Sequence, residues 1–197
     1  MNENLQDLNK ILTGFSDLDY YLKGLKKGDL ITIASRPKNG RTTLAFNIGE
    51  FVAKAGTTVA IFNLKNKFLG ANKDSKHIYI YDILDLKKIK EKSIELLLNY
   101  NLGLVIIDDV ELIESNNNEV WLELCKMAKE LNIPIIVTSK IDKKERNDNR
   151  PCLANLRYDI LHYASQILLL YMKENTLEVT IARNTNGTTG VIKLIME

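Results

Sequence analysis

The chain has 197 residues, enough for one domain with a substantial core. Charged side chains make up 26% and hydrophobic ones 45%, and the net charge is +2, which excludes a strongly basic or strongly acidic class of protein. The first residues lack the basic-then-apolar order of a signal peptide, and no apolar run is long enough to cross a membrane. Cys125 and Cys152 show neither metal nor disulfide spacing, so we expect a cytoplasmic protein without a membrane partner.

Apolar runs of strand length alternate with segments of helical period along the whole chain. In chain order the pattern predicts a strand over 29–34, a helix over 42–55, strands over 59–64 and 78–83, a helix over 86–99, a strand over 104–110, a helix over 119–131, a strand over 133–139, a helix over 153–164, a strand over 167–172, and two strands over 177–182 and 191–196 that flank Asn186-Gly187. Such alternation predicts an α/β fold with a mainly parallel sheet flanked by helices and an antiparallel C-terminal hairpin. The stretch over 140–151 is too polar to pack, which predicts a mobile loop.

The segment ASRPKNGRTTLA, over 34–45, has the order of a phosphate-binding loop between a strand and a helix. Such a loop needs small residues that let backbone N–H groups surround phosphates, then a lysine, then a hydroxyl for Mg²⁺. Ser35 stands where the first glycine belongs and Arg41 where the lysine belongs, so the loop alone does not distinguish a nucleotide site from a chance turn. The predicted phosphate-binding residues are Ser35, Arg36, Pro37, Lys38, Asn39, Gly40, Arg41, Thr42 and Thr43.

A second element lies further along the chain, where LGLVIIDD places Asp108 at the end of an apolar strand. A magnesium-associated acid is expected there in nucleotide-hydrolysing proteins, although acids at strand ends also cap helices. The two elements together, in this order, favour a P-loop NTPase fold. The predicted ligands are ATP or ADP with Mg²⁺, and Thr42 and Asp108 are the predicted metal-associated residues.

Longer segments resemble the RecA-like motor domain of DnaB-type replicative DNA helicases. The resemblance is carried by TGFSDLDYYLKGLKKGDLITIASRP, LGLVIIDDVELI, AKELNIPIIVTSK, RPCLANLR and RNTNGTTGVIKL. It implies ATP-dependent DNA unwinding, a hexameric or other ring of copies of the chain with ATP between subunits, and single-stranded DNA or another replication protein as partners. Because the likeness starts near Leu12, we expect an N-terminal arm or remnant linker helix over 1–12 and a RecA-like core over 13–197. A recombinase-like or clock-like relative shares that core, but Arg36-Pro37 and the terminal Asn-Gly favour the helicase branch.

The chain departs from the helicase pattern at several positions that the resemblance makes catalytic. Arg41 replaces the phosphate lysine, Lys65 stands where the family has a water-activating Glu, and Thr185 occupies the arginine-finger position beside a retained basic residue, Arg183. Glu111 corresponds to a family Gln, and a long helical insert before the acidic strand is replaced by a short connection. We expect no counterpart of the family's N-terminal collar domain. The candidate catalytic set is therefore Arg41, Lys65, Asp108 and Arg183, in degenerate form. We expect weak or lost ATP hydrolysis; the alternative is a non-enzymatic scaffold that binds nucleotide or a replication or recombination protein.

The polar loop supplies candidates for DNA contact, because the matching region of the family lies toward the central channel. These are Lys140, Lys143, Lys144, Arg146 and Arg150. The alternative is a solvated loop, since Asp142, Glu145 and Asp148 dilute its positive field.

Overall fold

The computed structural model of the chain describes residues 10–63, 76–113, 119–141 and 150–195. The strands in these ranges are β1 Leu30–Ser35, β2 Thr58–Asn63, β3 Ile78–Tyr81, β4 Leu102–Asp108, β5 Ile135–Lys140, β6 Gln166–Lys173, β7 Thr176–Asn184 and β8 Gly190–Ile195. The helices are α1 Ser16–Leu22, α2 Arg41–Lys54, α3 Leu86–Tyr100, α4 Val120–Leu131 and α5 Tyr158–Tyr163, with 3₁₀ turns at Val110–Leu112 and Leu153–Asn155. Of the arm expected over 1–12, residues 1–9 lie outside the described ranges, and Ile11 forms an antiparallel bridge with Leu25.

The strands form one sheet in the order β3-β2-β4-β5-β1-β6-β7-β8. All neighbours from β3 to β6 are parallel, whereas β6–β7 and β7–β8 are antiparallel. The predicted α/β architecture, a mainly parallel sheet with an antiparallel C-terminal hairpin, is confirmed. No helix within the described ranges is both long and apolar enough to cross a bilayer.

Helices cover both faces of the central sheet, and the strands β1, β4 and β5 therefore bury both of their sides. On β1, Ile31 and Ile33 pack with residues of α1 and α2, whereas Leu30 and Ala34 pack with residues of α3 and α4 on the other face. All six positions of β1 are buried. This two-sided burial explains why the parallel strands are continuous apolar runs and do not alternate apolar and polar residues.

The prediction of a single helix over 153–164 is wrong. The segment begins with the 3₁₀ turn Leu153–Asn155, passes through extended backbone at Leu156 and Arg157, and then forms the six-residue α5. The Asn155 side chain accepts the backbone N–H of Cys152 at 2.8 Å, which closes the first turn upon itself. Asparagine competes for backbone groups in this way, and the competition interrupts helices.

Two further features differ from the sequence-based expectation. Helix α1 was not predicted, because its apolar periodicity rests on only two buried residues, Leu18 and Leu22. The hairpin between β7 and β8 is present, but Ile181 pairs with Gly190, so Asn186-Gly187 lies within a longer loop and does not form a two-residue turn. The Asn184 side chain organises that loop by donating to the carbonyl oxygens of Tyr21 at 2.9 Å and Thr188 at 3.1 Å.

Candidate nucleotide site

The candidate site lies where the carboxyl ends of three adjacent parallel strands meet. In the sheet, β5 lies between β4 and β1, and these strands end at Lys140, Asp108 and Ser35 respectively. The predicted phosphate loop follows β1 and leads directly into α2. Ligands of open α/β sheets bind at this kind of edge, outside the carboxyl ends of the strands.

The predicted phosphate loop is held by contacts within the chain. The Asn39 side chain accepts the backbone N–H of Met172 on β6 at 2.6 Å and donates to the carbonyl oxygens of Pro37 at 3.1 Å and Arg36 at 3.3 Å. The Ser35 hydroxyl also donates to the Arg36 carbonyl, at 2.8 Å. These contacts fix the loop against β6 without requiring a ligand.

The end of the loop has the backbone shape that a phosphate-binding turn needs. Gly40 is the residue before α2 and has φ 78°, a left-handed conformation that glycine adopts without a steric penalty. Helix α2 has 14 residues. Because its capping residue is Gly40, no capping side chain accepts hydrogen bonds from its first N–H groups. Such a helix start attracts anions through its N–H groups and dipole. Thr42 and Thr43 lie half-buried in the first turn.

The two predicted metal-associated residues lie in direct contact. The Thr42 hydroxyl donates to Asp108 Oδ1 at 2.9 Å, and Asp108 is 3% exposed. The same oxygen accepts a second hydrogen bond from the Thr138 hydroxyl of β5, at 2.7 Å. Thr138 in turn accepts the backbone N–H of Asp109 at 2.7 Å, so one hydroxyl links both acids at the end of β4.

The Arg41 side chain pairs with Asp109. Its Nε and one terminal nitrogen lie 3.2 and 2.5 Å from the same carboxylate oxygen, Asp109 Oδ1. The Arg41 side chain is 10% exposed and that of Asp109 is 3% exposed, so the ion pair is buried. The guanidinium is bulky, planar and always charged, and a carboxylate is its natural partner in a buried site.

Glu111 lies beside this cluster and bonds to the end of β5. Its Oε1 accepts the Ser139 hydroxyl at 2.5 Å and the Lys140 backbone N–H at 3.0 Å. Asp109, Thr138 and Ser139 were not among the residues predicted from the sequence. The available signals were the second acid of Asp108-Asp109 and the pair of hydroxyls that ends the apolar run IIVTS.

The two residues matched to the family's last motif lie at the opposite edge of the sheet. Arg183 pairs with Ile167 near the start of β6, and its guanidinium donates to the Leu161 carbonyl of α5. The Thr185 backbone N–H donates to Ser165, which precedes β6, at 3.1 Å. Since β6 runs parallel to β1, the start of β6 lies away from the phosphate loop that follows β1. Arg183 and Thr185 therefore do not join the Arg41 and Asp108 site of their own chain.

Four predicted site residues fall outside the described ranges, namely Lys65, Lys143, Lys144 and Arg146. The two described candidates for DNA contact differ in their surroundings. Lys140 is exposed at the end of β5. Arg150 forms an ion pair with Glu178 at 3.2 Å and lies over the ring of Tyr171.

The described residues fit a magnesium nucleotide in part. A left-handed glycine, a helix start and the Thr42–Asp108 contact are the groups that would surround phosphates and associate with Mg²⁺. Arg41 does not fit in this conformation, because its charge is already neutralised by Asp109. The described ranges contain no preformed cluster of three or more His, Cys, Asp or Glu residues that could hold a metal by itself.

The family model described as the DnaB-like helicase C terminal domain matches residues 10–69 and 69–197. The chain belongs to this family. It is 27% identical over 251 aligned residues to the replicative DNA helicase DnaC of Bacillus subtilis (strain 168), an alignment that covers 95% of this chain and 55% of the relative. It is 26% identical over 248 residues to the replicative DNA helicase DnaB of Geobacillus stearothermophilus, with the same coverage. The chain thus spans about half the length of the curated relatives that it matches.

Solved structures show the same fold. The ATPase domain of G40P superposes with a TM-score of 0.84 at 22% identity, covering 94% of this chain and 87% of that chain. A DnaB-like replicative helicase, from a structure that describes its interactions with primase, gives a TM-score of 0.83 at 23% identity and covers 94% of this chain and 59% of that chain. These likenesses confirm the RecA-like helicase fold expected from the sequence.

The alignments also bear on the short connection before the acidic strand. The alignment with the Bacillus subtilis helicase is 251 residues long although this chain has 197, so the relative has internal sequence that this chain lacks. The family model matches in two stretches that meet at residue 69, within that short connection.

Proposed function

We propose that this chain is a motor-type domain of the DnaB-like helicase family in which ATP hydrolysis is weak or lost. The observation that supports the proposal best is the buried Arg41–Asp109 ion pair. By resemblance, position 41 supplies the positive charge for the nucleotide's terminal phosphates. Here that charge is directed to a carboxylate of the same chain, and a phosphate would have to displace it.

The sequence supplies two further reasons for the same proposal. Lys65 stands where the resemblance implies a water-activating Glu, and Thr185 where it implies an arginine finger. Removing one group that stabilises transition-state charge costs about 3 kcal/mol of activation free energy. Losses at three positions together would leave little turnover. The retained Thr42–Asp108 contact supports residual binding of Mg²⁺ and nucleotide.

Titration with a fluorescent ATP analogue and Mg²⁺, run beside a phosphate-release assay with and without single-stranded DNA, tests the proposal. We expect weak or moderate binding and phosphate release near background in both conditions. Robust DNA-stimulated release would refute it. The triple variant Arg41→Lys, Lys65→Glu and Asp109→Asn serves as the gain-of-function comparison. It restores the side chains that the resemblance implies at positions 41 and 65, and it removes the carboxylate that pairs with position 41.

The second candidate function is a non-enzymatic scaffold in replication, acting as a ring of copies or through another replication protein. It is favoured by the ligand-independent contacts of the phosphate loop, in which Asn39 binds Met172 and Arg41 binds Asp109. Light scattering with and without Mg²⁺ and ATP distinguishes the candidates. A scaffold keeps one oligomeric state in both conditions, whereas a motor assembles or tightens when nucleotide is added. DNA contact through Lys140 and Arg150 would appear as salt-dependent binding of single-stranded DNA.

A further inference from the structure

The two charges of the buried ion pair differ in how firmly the fold holds them. Asp109 follows β4 directly and has φ 62° and ψ 73°, a left-handed conformation that is uncommon for a residue with a side chain. Its backbone N–H donates to the Thr138 hydroxyl at 2.7 Å, and it begins the 3₁₀ turn Val110–Leu112. The carboxylate therefore has a position set by the backbone, whereas Arg41 reaches it through a long side chain.

Two donors of one guanidinium converge on Asp109 Oδ1. The Arg41 Nε and a terminal nitrogen both donate to this oxygen, and both residues are at most 9% exposed. Water competes poorly for charges that are buried in this way, so the pair persists unless another anion replaces the carboxylate.

We propose that Asp109 is an internal competitor that keeps Arg41 from a phosphate ligand, and that Asp109 sets the anion affinity of this site. The inference rests on the proposed function, because it takes Arg41 as the residue at the phosphate-binding position. The chemical class of the ligand is a di- or triphosphate anion, with or without Mg²⁺. Asp109 acts through Arg41 and is a positioning residue, not a catalytic one.

Competition of this kind has a quantitative consequence. The apparent dissociation constant equals the intrinsic one divided by the fraction of molecules in which Arg41 is released; if that fraction is about 1%, the apparent affinity is about 100-fold weaker than the intrinsic affinity. Removing the competing charge should restore most of that factor. Arg41 itself would then contribute as a charged, planar phosphate donor.

The test replaces the charge and keeps the shape, in the variant Asp109→Asn of the whole chain. Calorimetric titration with inorganic pyrophosphate, and separately with ADP and Mg²⁺, should give a dissociation constant at least about 10-fold lower than that of the unmodified chain. The matched control is Asp29→Asn, the same chemical change at the opposite end of β1, which should leave both constants unchanged. Equal constants for Asp109→Asn and the unmodified chain would overturn the inference.

A second measurement does not depend on the folding of the variant. In the unmodified chain, the NMR signal of the Arg41 Nε–H should be protected from exchange with water before any anion is added. It should shift only as pyrophosphate saturates the site. An Arg41 signal that exchanges freely in the absence of anion would show that the pair does not form in solution, and the inference would fail.

The proposed loss of ATP hydrolysis and the proposed competition by Asp109 can be refuted separately. Rapid DNA-stimulated ATP hydrolysis by the unmodified chain would refute the proposed loss of activity, whatever the pyrophosphate affinity of Asp109→Asn is. If Asp109→Asn has unchanged pyrophosphate affinity and the unmodified chain does not hydrolyse ATP, the competition by Asp109 is refuted but the proposed function is not.

Discussion

Thr138→Val should destabilise the protein strongly, although it exchanges one group of nearly the same shape. Thr138 is 0% exposed, and its hydroxyl makes two hydrogen bonds at the end of β4. It donates to Asp108 Oδ1 at 2.7 Å and accepts the backbone N–H of Asp109 at 2.7 Å. Valine can make neither bond, so a carboxylate and a buried amide both lose a partner.

The size of the effect follows from these two bonds. A hydrogen bond to a charged acceptor contributes about 1.5–3 kcal/mol, and a buried donor left without a partner costs about 1–3 kcal/mol. The added methyl group returns about 0.8 kcal/mol through burial. We expect the free energy of unfolding to fall by about 3 kcal/mol, which lowers the melting temperature of a chain of this length by roughly 6–12 °C.

The neighbouring strand offers a matched control in Thr32→Val. Thr32 is also 0% exposed and lies on β1 opposite Val137, next to Thr138 on β5. Within the described ranges, its hydroxyl has no hydrogen-bond partner. Removing a buried hydroxyl without a partner should leave the free energy of unfolding unchanged or raise it by about 1 kcal/mol.

Urea unfolding followed by circular dichroism measures both variants under one set of conditions. We expect the free energies of unfolding of Thr138→Val and Thr32→Val to differ by at least about 3 kcal/mol. If the two variants differed by less than about 0.5 kcal/mol, the spread seen among ordinary surface substitutions, the Thr138 hydroxyl would not link the two acids in solution.

Three further substitutions test other contacts of the fold. Asn39→Ala removes the acceptor of the Met172 N–H, and thermal unfolding should show a loss of about 1–2 kcal/mol. Gly187→Ala would press a methyl group against the backbone oxygen of Tyr21, and we expect a loss of about 1–3 kcal/mol in urea unfolding. Burial raises the pKa of Asp29 above 3.8, so the folded state binds this proton more readily than the unfolded state. Stability from this group is greatest below that value and falls as pH rises through the raised pKa; Asp29→Asn should remove this fall.

Each of these expectations has an outcome that contradicts it. An Asn39→Ala variant as stable as the unmodified chain would mean that the phosphate loop is not held through β6. Unchanged stability in Gly187→Ala would mean that the loop between β7 and β8 does not pack on Tyr21. A stability profile from pH 4 to 7 that is parallel for Asp29→Asn and the unmodified chain would show that the Asp29 carboxyl does not carry the pH dependence.

Sequence patterns predicted the sheet well, because a strand that is buried on both faces is apolar at most of its positions. The runs 29–34, 104–110 and 133–139 therefore stood out, and they became three adjacent central strands. The same patterns wrongly predicted one continuous helix over 153–164. In this segment the side chain of Asn155 closes the first turn. Such local competition has no periodicity that a sequence pattern could reveal.

The candidate site was predictable in part, for a related physical reason. The loop and the acid at the end of β4 each have a local signature, and topology brings them together at one edge of the sheet. The partner of Arg41 has no such signature, because Asp109 lies 68 positions away and contacts it only after the sheet has formed. Thr138 was missed likewise, since its role depends on the adjacency of β4 and β5.

Two consecutive acids serve different partners because the backbone turns between them. Asp108 is the last residue of β4 and receives the hydroxyls of Thr42 and Thr138, whereas Asp109 has left-handed backbone and faces Arg41. A lysine at position 41 would meet the same carboxylate, since Asp109 is placed by its own backbone and not by the arginine. Restoring the phosphate lysine alone would therefore leave its charge next to an internal anion. Recovery of nucleotide affinity therefore requires a change at position 109, whichever basic residue occupies position 41.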